Sequence, residues 1–298
     1  MSPFDVEEYL KQKRAVINLA LERYLKHCRR YPEKLYRAMH YGVFPGGKRF
    51  RPILTLAAGE VFGGKQKCLL PFACALELIH AYSLIHDDLP ALDDDDYRRG
   101  ELANHKVFGE GIALLAGDAL LTEAFHVISE ARVLRLLKPT LVLELLHEIT
   151  QAAGGGGMVG GQVVDLEAED HEVDMATVEN IHGRKTGALI LAAARVGARI
   201  GGARPKEMQR ITRYSRFLGL AFQITDDILD AESATCTAGR ASKKKEEKKA
   251  TYLSIAGPGA ARDRVSNLLQ RCLKEVELFG READPLRGIV HTVASRVS

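Results

Sequence analysis

Two groups of aspartates are the residues whose type and spacing best suit chemistry. The first group lies within residues 87–96, and its candidate metal ligands are Asp87, Asp88 and Asp93. The second comprises Asp226, Asp227 and Asp230. At about 100° per residue, the second group falls within roughly one 100° arc of a helix, so three carboxylates share one face. They repel one another, and a bound cation is the simplest way to offset that repulsion.

The first group cannot lie on one regular helical face. Asp93 falls about 240° from Asp87 around an ideal helix, and Pro90 disrupts the hydrogen-bond ladder between them. We therefore expect a kink that brings the two together, whereas residues 94–96 fit a solvated acidic loop as well as a metal site. An EF-hand is excluded, because the required Gly and Glu positions are absent. Ligands that are all oxygen favour Mg²⁺, which completes its shell with substrate phosphate and water.

Basic residues accompany both groups. The candidates for binding anions are Lys48, Arg51, Arg98, Arg99, Lys185, Arg240 and Lys249. Together with two Mg²⁺-type carboxylate sites, they predict a cavity for two polyphosphates, one bound through metal ions and one directly by Arg and Lys. Two anionic substrates are implied.

Other motifs with similar spacing are weaker. Residues 42–49 match the spacing of a phosphate-binding loop, but Arg49 occupies the place of the metal-binding Ser or Thr. Glycines 155, 157 and 160 fit a dinucleotide motif, yet they follow a helical run instead of a strand. The dipeptide His86-Asp87 occurs in metal-dependent phosphohydrolases and keeps that reading open.

The elements that position these residues are predicted to be helices. Apolar residues recur at three- and four-residue spacing, and alternating strand patterns are scarce. Gly and Pro residues interrupt the helical pattern only briefly and do not form a long linker. This pattern predicts an all-α helical bundle, and we expect a single domain over residues 1–298. The apolar run 69–85 contains Glu77 and His80, which favours a buried helix over a membrane span.

Composition excludes several classes of protein. With 46% hydrophobic and 27% charged residues, the chain is neither disordered nor a disulfide scaffold. The net charge of +3 gives no argument for a nucleic-acid partner. Five scattered cysteines without a CxxC pair, and an acidic start without an apolar segment, lead us to expect a cytoplasmic protein.

The arrangement of these motifs resembles the trans-isoprenyl diphosphate synthases, most closely the bacterial farnesyl diphosphate synthases (geranyltranstransferases). The matching segments are GGKRFRP at 46–52, HAYSLIHDDLPALDDDDYRRG at 80–100, GDALLTEAF at 117–125, GGQVVDLEAE at 160–169, RKTGALI at 184–190 and FQITDDILD at 222–230. Paired aspartate-rich motifs with basic segments in this order are highly specific, and the match spans nearly the whole chain.

The resemblance implies an all-α homodimer whose central cavity holds an allylic diphosphate on three Mg²⁺ ions beside isopentenyl diphosphate. It assigns the metals to Asp87, Asp88, Asp93, Asp226, Asp227 and Asp230. The allylic diphosphate is assigned to Arg98, Lys185, Arg240 and Lys249, and isopentenyl diphosphate to Lys48, Arg51, His80 and Arg99. Thr186 and Gln223 would flank the reacting carbon, so that Lys185, Thr186 and Gln223 are the expected catalytic residues.

Some positions depart from the family pattern. The family usually has Lys where Arg240 stands, and the segment around Lys249 also differs.

Tyr82 and Ser83, one turn before Asp87, are similar to the farnesyl pattern, so we expect a product of fifteen carbons. A geranylgeranyl diphosphate synthase is the alternative, followed by a phosphohydrolase or a non-catalytic partner subunit. A class I terpene cyclase ranks lower, because it would not need the Lys48, Arg51 and Arg99 site.

Overall fold

The protein is built from helices joined by short loops. The computed structural model describes residues 4–169, 171–236 and 251–296. The α-helices are α1 Val6–Leu25, α2 Glu33–Val43, α3 Phe50–Val61, α4 Gln66–Asp87, α5 Asn104–Phe108, α6 Glu110–Ser129, α7 Ala131–Leu136, α8 Pro139–Ala153, α9 Met158–Ala168, α10 Met175–Ile181, α11 Ala188–Gly201, α12 Pro205–Cys236, α13 Tyr252–Ala256, α14 Pro258–Val276 and α15 Asp284–Ala294. Short 3₁₀ helices cover Lys26–Arg30 and Arg281–Ala283, and a π-helical turn covers His182–Gly187. The predicted all-α class is confirmed.

A two-stranded hairpin interrupts the helices within the described residues. Strands β1 (Tyr97–Arg98) and β2 (Glu101–Leu102) pair antiparallel, with Tyr97 opposite Leu102. Between them Arg99 and Gly100 both have positive φ, as tight hairpin turns require. The hairpin places Arg98 and Arg99 on adjacent positions beside the end of α4.

Helices end near the predicted Gly and Pro breaks. Gly202 follows α11 in the left-handed conformation, and its amide donates to the Arg199 carbonyl, which closes the last turn. Pro258 occupies the first turn of α14, where its missing N–H costs no hydrogen bond.

Helix α4 is a core helix, as the sequence predicted. Phe72, Leu76 and Leu78 are fully buried, and α4 packs against α3 and α6. By length and composition alone, 66–87 and 110–136 could each cross a membrane, but 72% and 44% of their apolar windows are buried inside the protein. Burying α4 on all sides explains why its sequence is apolar around its whole circumference.

The kink in the first aspartate group is present. Helix α4 ends at Asp87, the chain reverses, and the Asp93 amide donates to the Asp87 carbonyl over 2.8 Å. Asp94 then takes a left-handed φ of 51° while its amide donates to the Leu89 carbonyl. The turn therefore sets Asp93 back beside Asp87, although the two would lie on different faces of a continuous helix.

The π-helical turn lies between α10 and α11 and packs against α9. A Cβ atom on Gly161 would lie 2.3 Å from the Lys185 backbone nitrogen, so only glycine permits this approach. π-Helical turns widen a helix locally and redirect side chains, often at functional sites. This one carries Lys185 and Thr186.

Candidate active site

A deep cavity of about 1370 Å³ brings together most of the predicted site residues. The predicted residues that line it are Lys48, Arg51, His80, Asp87, Asp93, Arg98, Arg99, Lys185, Thr186, Gln223, Asp226, Asp227 and Asp230. Asp88 is not among the lining residues, and Arg240 and Lys249 lie outside the described part of the chain. Carboxylates from the end of α4 and from α12 therefore face one space.

The α4 carboxylates differ in their surroundings. Asp87 faces the cavity, and burial raises its pKa to about 6, against the opposing effect of Lys185. Asp88 is 2% exposed and points away, toward Arg98, whose Nε donates to Asp88 Oδ1 over 2.8 Å. Arg98 reaches back from β1 and also contacts Asp95. In this structure Asp88 holds the Arg98 guanidinium instead of facing the space between the two groups.

The α12 carboxylates are bound by parts of the chain that carry no recognisable motif. Arg296 donates to Asp226 Oδ1 over 2.6 Å, and burial raises the pKa of Asp226 while Arg296 opposes that rise. Asp227 accepts from the Tyr252 amide over 3.1 Å and lies 3.5 Å from His182 Nε2. These contacts fix the carboxylates toward the cavity.

The π-helical turn supplies a cation and a hydroxyl. Lys185 Nζ donates to Asp165 Oδ2 over 2.7 Å. Thr186 Oγ1 donates to Gln223 Oε1 over 2.6 Å, and Gln223 Nε2 in turn donates to Asp227 Oδ1 over 3.3 Å. The amide of Gln223 thus links the hydroxyl of the turn to the carboxylates of α12.

A second group of basic residues lines another part of the cavity. Burial lowers the pKa of Lys48, Arg51 and Arg99, with Arg296 adding repulsion at Lys48. His80 has a pKa well below its usual value, because it is buried and near four arginines, with Arg51 the largest electrostatic influence. Arg51 Nε is buried and donates no hydrogen bond to any described residue. An anion stabilises cations that crowd around a buried arginine in this way.

A buried ion pair positions this basic group. Arg49 is 3% exposed, has a left-handed φ of 53°, and donates to Glu77 Oε1 over 2.8 Å and to the Val43 carbonyl over 2.7 Å. Anchoring Arg49 to α4 fixes the loop before α3, so Lys48 and Arg51 on either side of it point into the cavity.

The carboxylate groups fit Mg²⁺. Asp87, Asp93, Asp226, Asp227 and Asp230 offer only oxygen donors toward one space, which suits a hard cation. Burial raises the pKa of Asp87 and of Asp226, so a bound cation would stabilise their ionised forms. Mg²⁺ also keeps open positions for substrate phosphate.

The sequence predictions did not identify His182, and they left Gln162 and Asp165 out of the site although both match family positions near the cavity. His182, Asp165 and Gln162 all line the cavity, and both amide atoms of Gln162 are buried without a hydrogen-bond partner among the described residues. His182 precedes Lys185 by three positions, a spacing that could have indicated a shared helical face. Arg296 and the Tyr252 amide carry no signal in the sequence.

Comparison with known proteins decides the family. The polyprenyl synthetase family model matches residues 32–279. The chain belongs to the polyprenyl synthetase family, and it is a prenyltransferase.

Curated relatives of this family cover the chain almost completely. It is similar to a dimethylallyltranstransferase of Fischerella ambigua, 44% identical over 98% of this chain and 84% of the relative. It is also similar to a farnesyl diphosphate synthase of Geobacillus stearothermophilus, 39% identical over 99% of each chain. A geranylgeranyl diphosphate synthase of Cyanophora paradoxa is 39% identical over 98% of this chain and 97% of its own.

A solved structure shares the fold. The apo FPP/GFPP synthase of Zymomonas mobilis superimposes with a TM-score of 0.85 at 36% identity, over 97% of this chain and 98% of that one.

Proposed function

We propose that the protein condenses isopentenyl diphosphate with an allylic diphosphate, dimethylallyl or geranyl, in a Mg²⁺-dependent head-to-tail reaction that releases pyrophosphate. The observation that carries this proposal is the sharing of one cavity by two carboxylate groups and a separate group of basic side chains. The first arrangement suits a metal-bound diphosphate, and the second suits a diphosphate held directly by basic side chains.

The allylic diphosphate belongs at the carboxylates. Asp87, Asp93, Asp226, Asp227 and Asp230 would hold Mg²⁺, three ions in all, with Asp88 acting through its ion pair with Arg98. When bound, Mg²⁺ neutralises charge that grows on the leaving diphosphate. Lys185 would bind the same diphosphate, and we infer the same role for Arg240 and Lys249.

Cleavage of the allylic carbon–oxygen bond leaves a cation that needs protection from water. Thr186 Oγ1 and Gln223 Oε1 lie together beside the Asp227 carboxylate, so their oxygen dipoles can face the positive carbon. A pair of unit charges about 4 Å apart interacts by roughly 1 kcal/mol in water and about 4 at an effective dielectric of 20, so a closed cavity strengthens these contacts.

Isopentenyl diphosphate belongs at the basic group. Lys48, Arg51 and Arg99 would bind its phosphates, and His80, held neutral by its surroundings, can donate a hydrogen bond without adding charge. Its double bond then attacks the allylic carbon, and the departing diphosphate accepts the proton that is lost. No side chain needs to act as general base.

A phosphohydrolase built on His86-Asp87 is the rival hypothesis. His86 Nε2 lies 3.0 Å from the Leu114 carbonyl on α6, so only Nδ1 of this ring keeps a lone pair for a metal. The second group of basic side chains in the cavity favours the transferase, because a hydrolase that cleaves a single diphosphate does not need it.

We propose farnesyl diphosphate as the product, with geranylgeranyl diphosphate as the alternative. Tyr82 and Ser83 line the cavity one turn before Asp87, where a growing tail would pass. Ser83 Oγ donates to the His80 carbonyl, and Tyr82 is 7% exposed. The bulk of Tyr82 supports the shorter product.

We further infer a single-domain chain that acts as a homodimer in the cytoplasm. Exposed apolar side chains on α6 and α8, among them Leu114, Leu115 and Leu143, offer surface for a second copy. The four cysteines that are described are free, which suits a reducing compartment.

Product analysis tests the proposed function. Purified protein is incubated with Mg²⁺, labelled isopentenyl diphosphate and either dimethylallyl or geranyl diphosphate, and the lipids are sized after dephosphorylation. We expect elongated prenyl products and pyrophosphate, both lost in Asp226→Ala and retained in Glu167→Gln. Release of phosphate from a single diphosphate without any longer lipid would overturn the proposal.

A further inference from the structure

A cluster of two histidines and a glutamate lies apart from the cavity. His27 belongs to the 3₁₀ helix that follows α1, while Glu123 and His126 lie on α6, three residues apart and therefore on one face. None of the three lines the cavity. The cluster thus joins two elements that the proposed reaction does not use.

The ligand atoms of the cluster converge. One nitrogen of each histidine and one carboxylate oxygen all lie within 4.8 Å of one another. His27 Nε2 is 3.2 Å from Glu123 Oε2, and the two imidazole rings lie 5.0 Å apart at their centroids. Small rotations about side-chain bonds suffice to bring three ligands to the roughly 2 Å at which Zn²⁺ binds nitrogen and oxygen.

The burial of Glu123 points to an additional ligand. Its side chain is only 3% exposed, yet Oε1 accepts no hydrogen bond from any described oxygen or nitrogen donor. The Cys28 thiol also interacts with this carboxylate, but a thiol is a weak donor. A buried carboxylate oxygen without a strong partner costs free energy, and a cation would offset that cost.

We propose that His27, Glu123 and His126 form a Zn²⁺ site. Two imidazoles and one carboxylate favour Zn²⁺ over the Mg²⁺ that the all-oxygen cavity selects. Cys28 Sγ lies 3.7 Å from His27 Nε2 but does not belong to the converging group, so water would complete a four-coordinate site. The ion would tie the segment after α1 to the last turns of α6, so its role is to stabilise this junction.

A plain ion pair is the competing explanation. Protonated His27 could balance Glu123 by itself, but that arrangement gives Oε1 no strong donor and leaves His126 without a function. The ion pair requires no metal ion, whereas the proposed site binds Zn²⁺ and depends on His126, which is exposed.

Equilibrium dialysis against Zn²⁺ in millimolar Mg²⁺ separates these explanations. The EDTA-treated protein and its variants are compared by metal content, with Asp226→Ala included to remove cavity binding. We expect about one Zn²⁺ per chain, with a Kd below about 1 µM. His126→Ala and Glu123→Gln should weaken binding at least roughly 100-fold, whereas His147→Ala, an exposed histidine on α8, and Asp226→Ala should retain it.

A second readout uses Co²⁺ in place of Zn²⁺. Visible absorption typical of four-coordinate Co²⁺ should appear in the wild type and disappear in His126→Ala, and Zn²⁺ should raise the melting temperature of the wild type but not that of His126→Ala. Because His126 is exposed, its variant should fold normally, as circular dichroism will check. Absence of tight Zn²⁺, or binding that His126→Ala leaves unchanged, would overturn the proposal.

Discussion

Lys185 Nζ and Asp165 Oδ2 lie 2.7 Å apart, so a carboxylate on α9 holds the cation of the π-helical turn beside the cavity. Gly161, on the same helix, allows the two backbones to approach closely enough for this contact. The ion pair fixes where the ammonium group points before substrate binds. A lysine that binds a leaving diphosphate is most effective when its position is set in advance.

Replacing Asp165 with Asn should therefore lower turnover without changing the fold. A misplaced ammonium group stabilises the leaving diphosphate less, and we expect kcat to fall roughly 10- to 100-fold. Steady-state kinetics with geranyl and isopentenyl diphosphates measure the effect. Glu167→Gln, an exposed change on the same helix, serves as the control. Wild-type kcat in Asp165→Asn would show that the ion pair does not position Lys185.

Thr186 and Gln223 should act as one unit, because the hydroxyl donates to the amide over 2.6 Å. A double-mutant cycle with Thr186→Ala and Gln223→Ala measures their coupling through kcat/KM. We expect a coupling free energy of about 0.5–3 kcal/mol, as for residues within one hydrogen-bond network. Additive effects, with no coupling, would mean that the two side chains act independently.

Substituting Ser83 with Phe should shorten the product. Ser83 lines the cavity one turn before Asp87, and a phenyl ring there would fill the space into which the tail extends. Chromatography of the dephosphorylated products should shift toward ten carbons, while Ser129→Phe, an exposed position at the end of α6, should leave the profile unchanged. An unaltered profile in Ser83→Phe would place the tail elsewhere.

His80 should make the folded state sensitive to acid. Burial and the nearby Arg51, Arg99, Arg49 and Arg98 depress its pKa in the folded protein, whereas the unfolded chain protonates near pH 6.5. The unfolded state therefore binds the extra proton first, and stability falls as pH decreases below about 6.5. The loss is at most about 1.4 kcal/mol per pH unit.

Urea denaturation of wild type and His80→Gln across this pH range tests that assignment. As the pH falls below about 6.5, the unfolding free energy of the wild type should decrease relative to that of His80→Gln. The exposed-site variant His147→Gln should show no such trend relative to the wild type. A pH-independent difference would mean that His80 titrates alike in both states.

Much of the fold followed from local signals. Gly and Pro breaks marked the helix ends, and the 3.6-residue period identified α4 and α12 as helices that carry the carboxylates. The kink after Asp87 was also predictable, because Pro90 cannot continue the ladder. Asp88 was expected among the metal ligands, but in the structure it pairs with Arg98, because the β1–β2 hairpin turns that guanidinium back over the end of α4.

Other site features depend on tertiary contacts that local patterns do not encode. Arg296 lies 70 residues from Asp226 and belongs to no motif. The π-helical turn depends on the close approach of Gly161, and Tyr252 contributes only a backbone amide, which every residue except proline possesses. Such contacts become visible only when the helices are packed.

The central claim is that the carboxylates of α4 and α12 act on one diphosphate. A crystal structure of the protein with Mg²⁺ and a non-reactive thio analogue of geranyl diphosphate tests this claim directly. We predict metal ions bridging the diphosphate to Asp87 on one side and to Asp226 on the other. A diphosphate bound to only one of these groups, or outside the cavity, would contradict the account.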